Sequence, residues 1–151
     1  MGKAAQHTEM YHAALYGSPS HLEEIKGMVA RGEDVNQRNH DNTGVAPLHI
    51  ASARARMDVM KFLIESGADV NITSHILGET PLHWAARWKQ PEAIRLLAKN
   101  GADVNAKDKW AHSVLDHAEY KVFHEEEFKS RYQETVELLV LHLGAVSSRP
   151  F

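Results

Sequence analysis

The sequence predicts an all-α solenoid: helix-turn-helix units stacked side by side and joined by short β-hairpin loops. Three observations carry that prediction. The segment Ile64-Glu65-Ser66-Gly67-Ala68-Asp69-Val70-Asn71 returns as Ala98-Lys99-Asn100-Gly101-Ala102-Asp103-Val104-Asn105, and earlier as Ala30-Arg31-Gly32-Glu33-Asp34-Val35-Asn36. Gly32, Gly67 and Gly101 therefore stand 35 and 34 residues apart. A second block keeps step with the first. Ala46-Pro47-Leu48-His49-Ile50-Ala51 and Thr80-Pro81-Leu82-His83-Trp84-Ala85 each begin 21 residues before their glycine. Between the two blocks, Met57, Val59, Met60, Phe62, Leu63 and Ile64 recur at helical spacing, and Ala93, Ile94, Leu96, Leu97 and Ala98 repeat the pattern one unit later. A fixed period of this length with helical patterning marks an array in which each unit buries its apolar face against its neighbours.

Four units are expected, at about 5–36, 43–71, 77–105 and 110–145, forming a single domain over 1–151. In the first, Thr8 to Ala14 takes the place of the Thr-Pro-Leu-His block, and three extra residues around Gly17-Ser18-Pro19-Ser20 lengthen the turn between helices. Pro47 and Pro81 suit a first helical turn, where the missing N–H would be unpaired anyway and the fixed φ is already helical. Gly67 and Gly101 fall where a helix must stop, in the left-handed conformation open to glycine. Residues 36–44, 71–78 and 105–111 then read as polar hairpin fingers projecting from the stack. In the fourth unit Ser113-Val114-Leu115-Asp116-His117-Ala118 replaces the block, and Gly144 follows Ser113 by 31 residues, an insertion placed around 119–132. Its aromatic residues Tyr120, Phe123, Phe128 and Tyr132 are expected to cover the last unit. Val136, Leu139, Val140 and Leu143 give the stripe of a final helix.

These blocks resemble the ankyrin repeat, whose signature joins Thr-Pro-Leu-His-x-Ala to a helix pair and then Gly-Ala-Asp-Val-Asn. The resemblance covers roughly Thr8 to Ala145, best in the two central units; atypical end units are expected because each has one stacking face in water. It implies a non-catalytic module that binds a partner protein through its hairpin tips and the concave groove of its first helices. Mapped onto that surface, Trp88 and Arg87 end one first helix, Arg54 ends the preceding one, His75, Ile76 and Leu77 form an apolar fingertip, and Lys109 and Trp110 form the next. Trp88 and Trp110 are the leading contact residues, since aromatic and arginine anchors dominate typical interfaces. Arg54, Arg56, Arg87 and Lys89 read as a basic strip able to meet an acidic segment. The resemblance gives His49 and His83 a structural role, with Asp116 in that place in the fourth unit. It has Asn36, Asn71 and Asn105 fasten their hairpins through hydrogen bonds to backbone. Asn71 also fits asparagines that are hydroxylated in some animal ankyrin proteins, an alternative regulatory reading.

Composition narrows the rest. The 151 residues carry a formal net charge of −3 and no cysteine, which removes disulfides, thiolate metal sites and cysteine nucleophiles and gives no global pull toward nucleic acid. No apolar run reaches the length of a membrane span, and the start lacks the apolar run of a secretory signal, so a cytoplasmic monomer is expected. The eleven histidines invite a metal reading. His112 and His117, however, are five apart and would not share one helical face, and His124 beside Glu125 to Glu127 offers ligands in several directions. Neither a metal site nor a cofactor is expected. A metal-dependent enzyme and a host-directed effector remain as less favoured alternatives, because no nucleophile elbow, phosphate loop or isolated carboxylate pair stands outside the repeat pattern.

Overall fold

The computed structural model describes residues 3–39, 42–119 and 126–147. They form four successive helix pairs: α1 (Lys3–Tyr16) with α2 (Pro19–Ala30), α3 (Pro47–Ala53) with α4 (Met57–Glu65), α5 (Pro81–Arg87) with α6 (Pro91–Lys99), and α7 (Val114–Glu119) with α8 (Glu126–Glu137). The last helix widens into a π-helical turn over Leu138–His142. First helices pack on first helices, α1 on α3, α3 on α5 and α5 on α7, while α2, α4, α6 and α8 form the second row. One continuous core runs through the stack, with Ile25, Leu48, Met60, Leu63, Leu82, Ile94, Leu97 and Leu139 among its fully buried side chains. Among the described residues no helix is long and apolar enough to cross a membrane.

The capping chemistry explains where α5 starts. Thr80 is its N-cap in extended conformation and Pro81 its first residue. Thr80 N donates to His83 Nδ1 at 3.1 Å, and His83 N donates back to Thr80 Oγ1 at 3.4 Å. Two of the unpaired donors at the helix start are satisfied this way. Ser113 and Asp116 reproduce the box with different groups: Ser113 N donates to Asp116 Oδ2 at 2.7 Å, and Asp116 N to Ser113 Oγ at 3.2 Å. The signature histidines do more than cap. Because His49 Nδ1 accepts from Ala46 N, its Nε2 carries the proton and donates to Glu79 O, 2.8 Å away at the base of the following finger. His83 reaches His112 O in the same way at 3.3 Å.

The connecting fingers differ from the β-hairpins that the sequence predicts. Among the described residues there is no strand, only a single bridge between Lys107 and Ser113. Near its base each finger carries a closing backbone bond, Asn39 N to Val45 O at 2.8 Å, Ser74 N to Glu79 O at 2.9 Å and Asp108 N to His112 O at 3.0 Å. The stretches are too short to extend a ladder, and they reverse through left-handed residues at Gly44, Gly78 and Ala111. The fingers also stack on one another: His75 N donates to Thr43 O at 2.9 Å, and Lys109 N to Leu77 O at 3.0 Å. A Cβ built on Gly44 would lie 2.7 Å from His75 N, and one on Gly78 3.2 Å from Lys109 N.

Tyr120, Phe123 and His124 lie outside the described residues, as does the side chain of Phe128. Tyr132 is described, with its ring 5.8 Å from Lys89 Nζ. The final stripe is corrected at Val140. Leu139 is fully buried, but Val140 is 40% exposed, because the buried face of this helix is made by Thr135, Leu138 and Leu139, at i, i+3 and i+4, and position 140 falls beyond its edge.

Candidate functional site

The fingers lie at the N-terminal ends of α3, α5 and α7, and the turns after α3 and α5 lie at the opposite ends. The predicted contact residues therefore divide into two groups. The fingertip group holds His75, Ile76, Leu77, Lys109 and Trp110; the helix-end group holds Arg54 and Trp88. The length of α5 separates the levels by about 10 Å at 1.5 Å per residue. Three of these side chains are large, apolar and displayed to solvent: Ile76 is 51% exposed, Trp88 50% and Trp110 59%. Trp110 is held in place through its backbone, whose N–H donates to Asp108 Oδ1 at 2.9 Å. Trp88 is the C-cap of α5. Trp84, by contrast, is half-buried against the core, edge-on to His49 at 5.6 Å between ring centroids.

Leu77, His75 and Lys109 join the fingers to one another as well as lining the tip. Leu77 is half-buried. Lys109 Nζ donates to His75 O while its backbone N–H takes Leu77 O. The second and third fingers therefore form one clamped ledge.

The basic strip does not survive folding. Arg87 was expected at the contact surface, but its guanidinium turns inward to Glu79 Oε1 and to His117 Nδ1, the latter at 2.8 Å. Lys89 is buried and donates to Arg87 O at 3.1 Å; burial, with the Arg87 charge beside it, lowers its ammonium to about 8. Arg56 is half-buried with its aliphatic stem against Gly17. Arg54 alone of the four is exposed. The physical reason is the buried carboxylate of Glu79, which needs a counter-charge and draws Arg87 from the surface.

Glu79, Arg87, His117, Asp108 and His112 make a polar network between the second and third fingers, α5 and α7. Asp108 Oδ2 lies 2.9 Å from His117 Nε2 and 3.3 Å from His112 Nδ1. Asp108 Oδ1 accepts from Trp110 N and His112 N, both at 2.9 Å. Burial pushes the Asp108 carboxyl up, but the hydrogen bonds from His117, His112 and Trp110 outweigh it and hold it below the usual carboxylate value. Burial pushes the His117 imidazole down; the Asp108 bond opposes this, Arg87 adds to it, and the net effect is a lowered value. Since Arg87 donates to Nδ1, His117 carries its proton on Nε2 and donates it to Asp108. The sequence reading missed Glu79 and Asp108. For Glu79 there was a signal: the position between fingertip glycine and helix cap is Val45 in one unit and an acid in the next.

The asparagines act across units rather than within their own hairpins. Asn71 Nδ2 donates to Gly101 O at 3.1 Å, and its Oδ1 accepts from Asp103 N at 2.8 Å. Asn36 repeats both bonds one unit earlier, to Gly67 O and from Asp69 N. Asn105 Oδ1 accepts from Val146 N at 2.9 Å. The carboxamide of Asn71 thus belongs to the joint between two units, so a modifying enzyme would have to reach a side chain already bonded at both ends.

A rigid helical-repeat array with apolar side chains displayed on its fingers and helix ends defines a solenoid-type protein. The chain belongs to the ankyrin-repeat family: the family description "Ankyrin repeats (3 copies)" matches residues 10–108, from within α1 to the start of the third finger. Among curated proteins, the chain is similar to "Protein phosphatase 1 regulatory subunit 27" of Mus musculus, 42% identical over 60 residues, covering 40% of this chain and 36% of the relative. The Homo sapiens protein of that name is 38% identical over 65 residues, covering 43% of this chain and 39% of the relative. The similarity thus spans well under half of each relative.

Proposed function

We propose that this chain is a non-catalytic, cytoplasmic adaptor that binds a protein partner through its fingertips and the outer ends of its first helices. Ankyrin family membership supports partner binding as the general activity. The observation that carries the finer reading is the display of Ile76, Trp88 and Trp110, each at least half exposed, on a backbone whose neighbouring units are cross-bonded. Large apolar side chains displayed to this extent are the type that supplies most of the energy of an interface. Arg54 adds a positive charge beside the Trp88 level; Arg87 contributes by holding Glu79, not by contact. In this reading the fourth helix pair is a terminal ankyrin-like unit, and the array works as a monomer.

The test is affinity capture from lysate, comparing the wild type with a folded Trp88→Ala/Trp110→Ala variant and identifying what differs by mass spectrometry. Proteins lost only from the variant support the reading, and an identical set of captured proteins refutes it. The names of the two relatives favour one first candidate, a protein phosphatase 1 catalytic subunit. Direct titration of that purified subunit tests this narrower reading separately, and no saturable binding would set the phosphatase aside while leaving the surface in question for other partners.

A further inference from the structure

We propose that Asp108, His112 and His117 form a binding site for a divalent transition-metal ion of the zinc class. Each of the three residues offers one ligand atom, and these atoms all lie within 4.8 Å of one another. Asp108 Oδ2 is 3.3 Å from His112 Nδ1 and 2.9 Å from His117 Nε2. With metal–ligand bonds of about 2.0–2.1 Å, a tetrahedral site requires neighbouring ligand atoms about 3.3 Å apart, so small rotations suffice. Residues five apart diverge when both stand on one helix. The structure places His112 in the third finger and His117 in α7, and the turn between them folds both imidazoles onto one carboxylate.

The surroundings support the same assignment. Asp108 is aimed by the two backbone N–H groups that hold Oδ1, leaving Oδ2 to face the histidines. Behind His117, Glu79 Oε1 lies 3.7 Å from Nδ1, and the buried Glu79 Oε2 accepts no hydrogen bond among the described residues. A metal-bound histidine commonly donates its other ring N–H to such a carboxylate. Without metal, His117 Nε2–H donates to Asp108 and Nδ1 accepts from Arg87. When metal takes Nε2, the proton moves to Nδ1 and is donated to Glu79; the imidazole stays neutral, and Arg87 keeps only its bond to Glu79. The His112 side chain is 57% exposed, which leaves the fourth coordination position open to water.

The experiment is calorimetric titration of the chelator-treated full chain with zinc chloride, alongside the visible absorption of its cobalt(II) form. His112→Ala removes an exposed ligand without disturbing the core, and His12→Ala, at an exposed histidine on α1, is the control. The wild type and His12→Ala are expected to bind one ion per chain with tetrahedral cobalt bands, and His112→Ala to bind at least about 10-fold more weakly. Absence of saturable one-to-one binding, or equal affinity in His112→Ala, overturns the proposal.

Discussion

Gly44 and Gly78 carry the stacking of the fingers, and Ala111 occupies the same left-handed position in the third finger, with φ of 67°, 65° and 64° respectively. No further finger follows Ala111 among the described residues, so a Cβ is tolerated there. The substitution Gly44→Ala places a Cβ 2.7 Å from the backbone nitrogen of His75, a contact that only a backbone shift relieves. Left-handed strain of about 1–2 kcal/mol and overpacking of about 1–3 kcal/mol together predict a loss of about 2–5 kcal/mol. Gly78→Ala meets the Lys109 stem at 2.9 Å and its nitrogen at 3.2 Å, a looser backbone approach than at Gly44, so the loss should stay near the strain value of about 1–2 kcal/mol. Ala111→Gly should instead stabilise, because release of that strain exceeds the 0.5–1 kcal/mol entropic cost of glycine by about 0.5–1 kcal/mol. Urea unfolding, with midpoints compared at constant slope, ranks the three. If Gly44→Ala is harmless, or Ala111→Gly destabilises as much as Gly78→Ala, the stacked-finger account is refuted.

Asn71→Ala removes two bonds between units and should cost about 1–2 kcal/mol, with faster amide exchange at Asp103 as the local readout. Acid should destabilise the fold through buried histidines. Burial first, against hydrogen bonds to backbone, lowers His49 from 6.5 to about 4, and burial does the same to His83. The unfolded chain therefore binds more protons than the folded one in that window. Stability is complete above pH 6.5 and falls as pH drops toward 4, by about 3 kcal/mol for His49 alone; urea midpoints across this range check it, and a flat profile would contradict it. Arg87→Ala leaves the buried Glu79 carboxylate without its counter-charge and should cost about 2–4 kcal/mol, discounted for the partial exposure of the arginine; pairing it with Glu79→Gln should recover much of that loss, as a double-mutant cycle in urea would show.

The helix pairs were legible because their determinants are local. A proline at the first turn, a histidine two residues after it and a glycine past the end of each second helix act within a few residues and recur at a fixed period in the central units. The roles of Asn36 and Asn71 were legible only in kind: their bonds to backbone were expected, but the partner chain segment is one unit away, where spacing along the sequence does not show it. Ile76, Trp88 and Trp110 were found as surplus apolar residues, since nothing in the repeat pattern asks for them. Arg87, Lys89 and Arg56 were misplaced for the opposite reason. Long cationic side chains read as surface in a sequence, and the buried acid that turns Arg87 inward lies eight residues before it on the far side of a helix cap. Asp108, His112 and His117 converge through a turn, which helical periodicity cannot register.

Separating framework from contact residues tests the account most directly. Once a captured partner is purified, its affinity should be measured for the wild type, Trp88→Ala, Trp110→Ala and Asn71→Ala, together with the urea midpoint of each. The account predicts that each tryptophan variant loses about 2 kcal/mol of binding with an unchanged midpoint, while Asn71→Ala shifts the midpoint. Tryptophan variants that unfold earlier but bind as well as the wild type would contradict it.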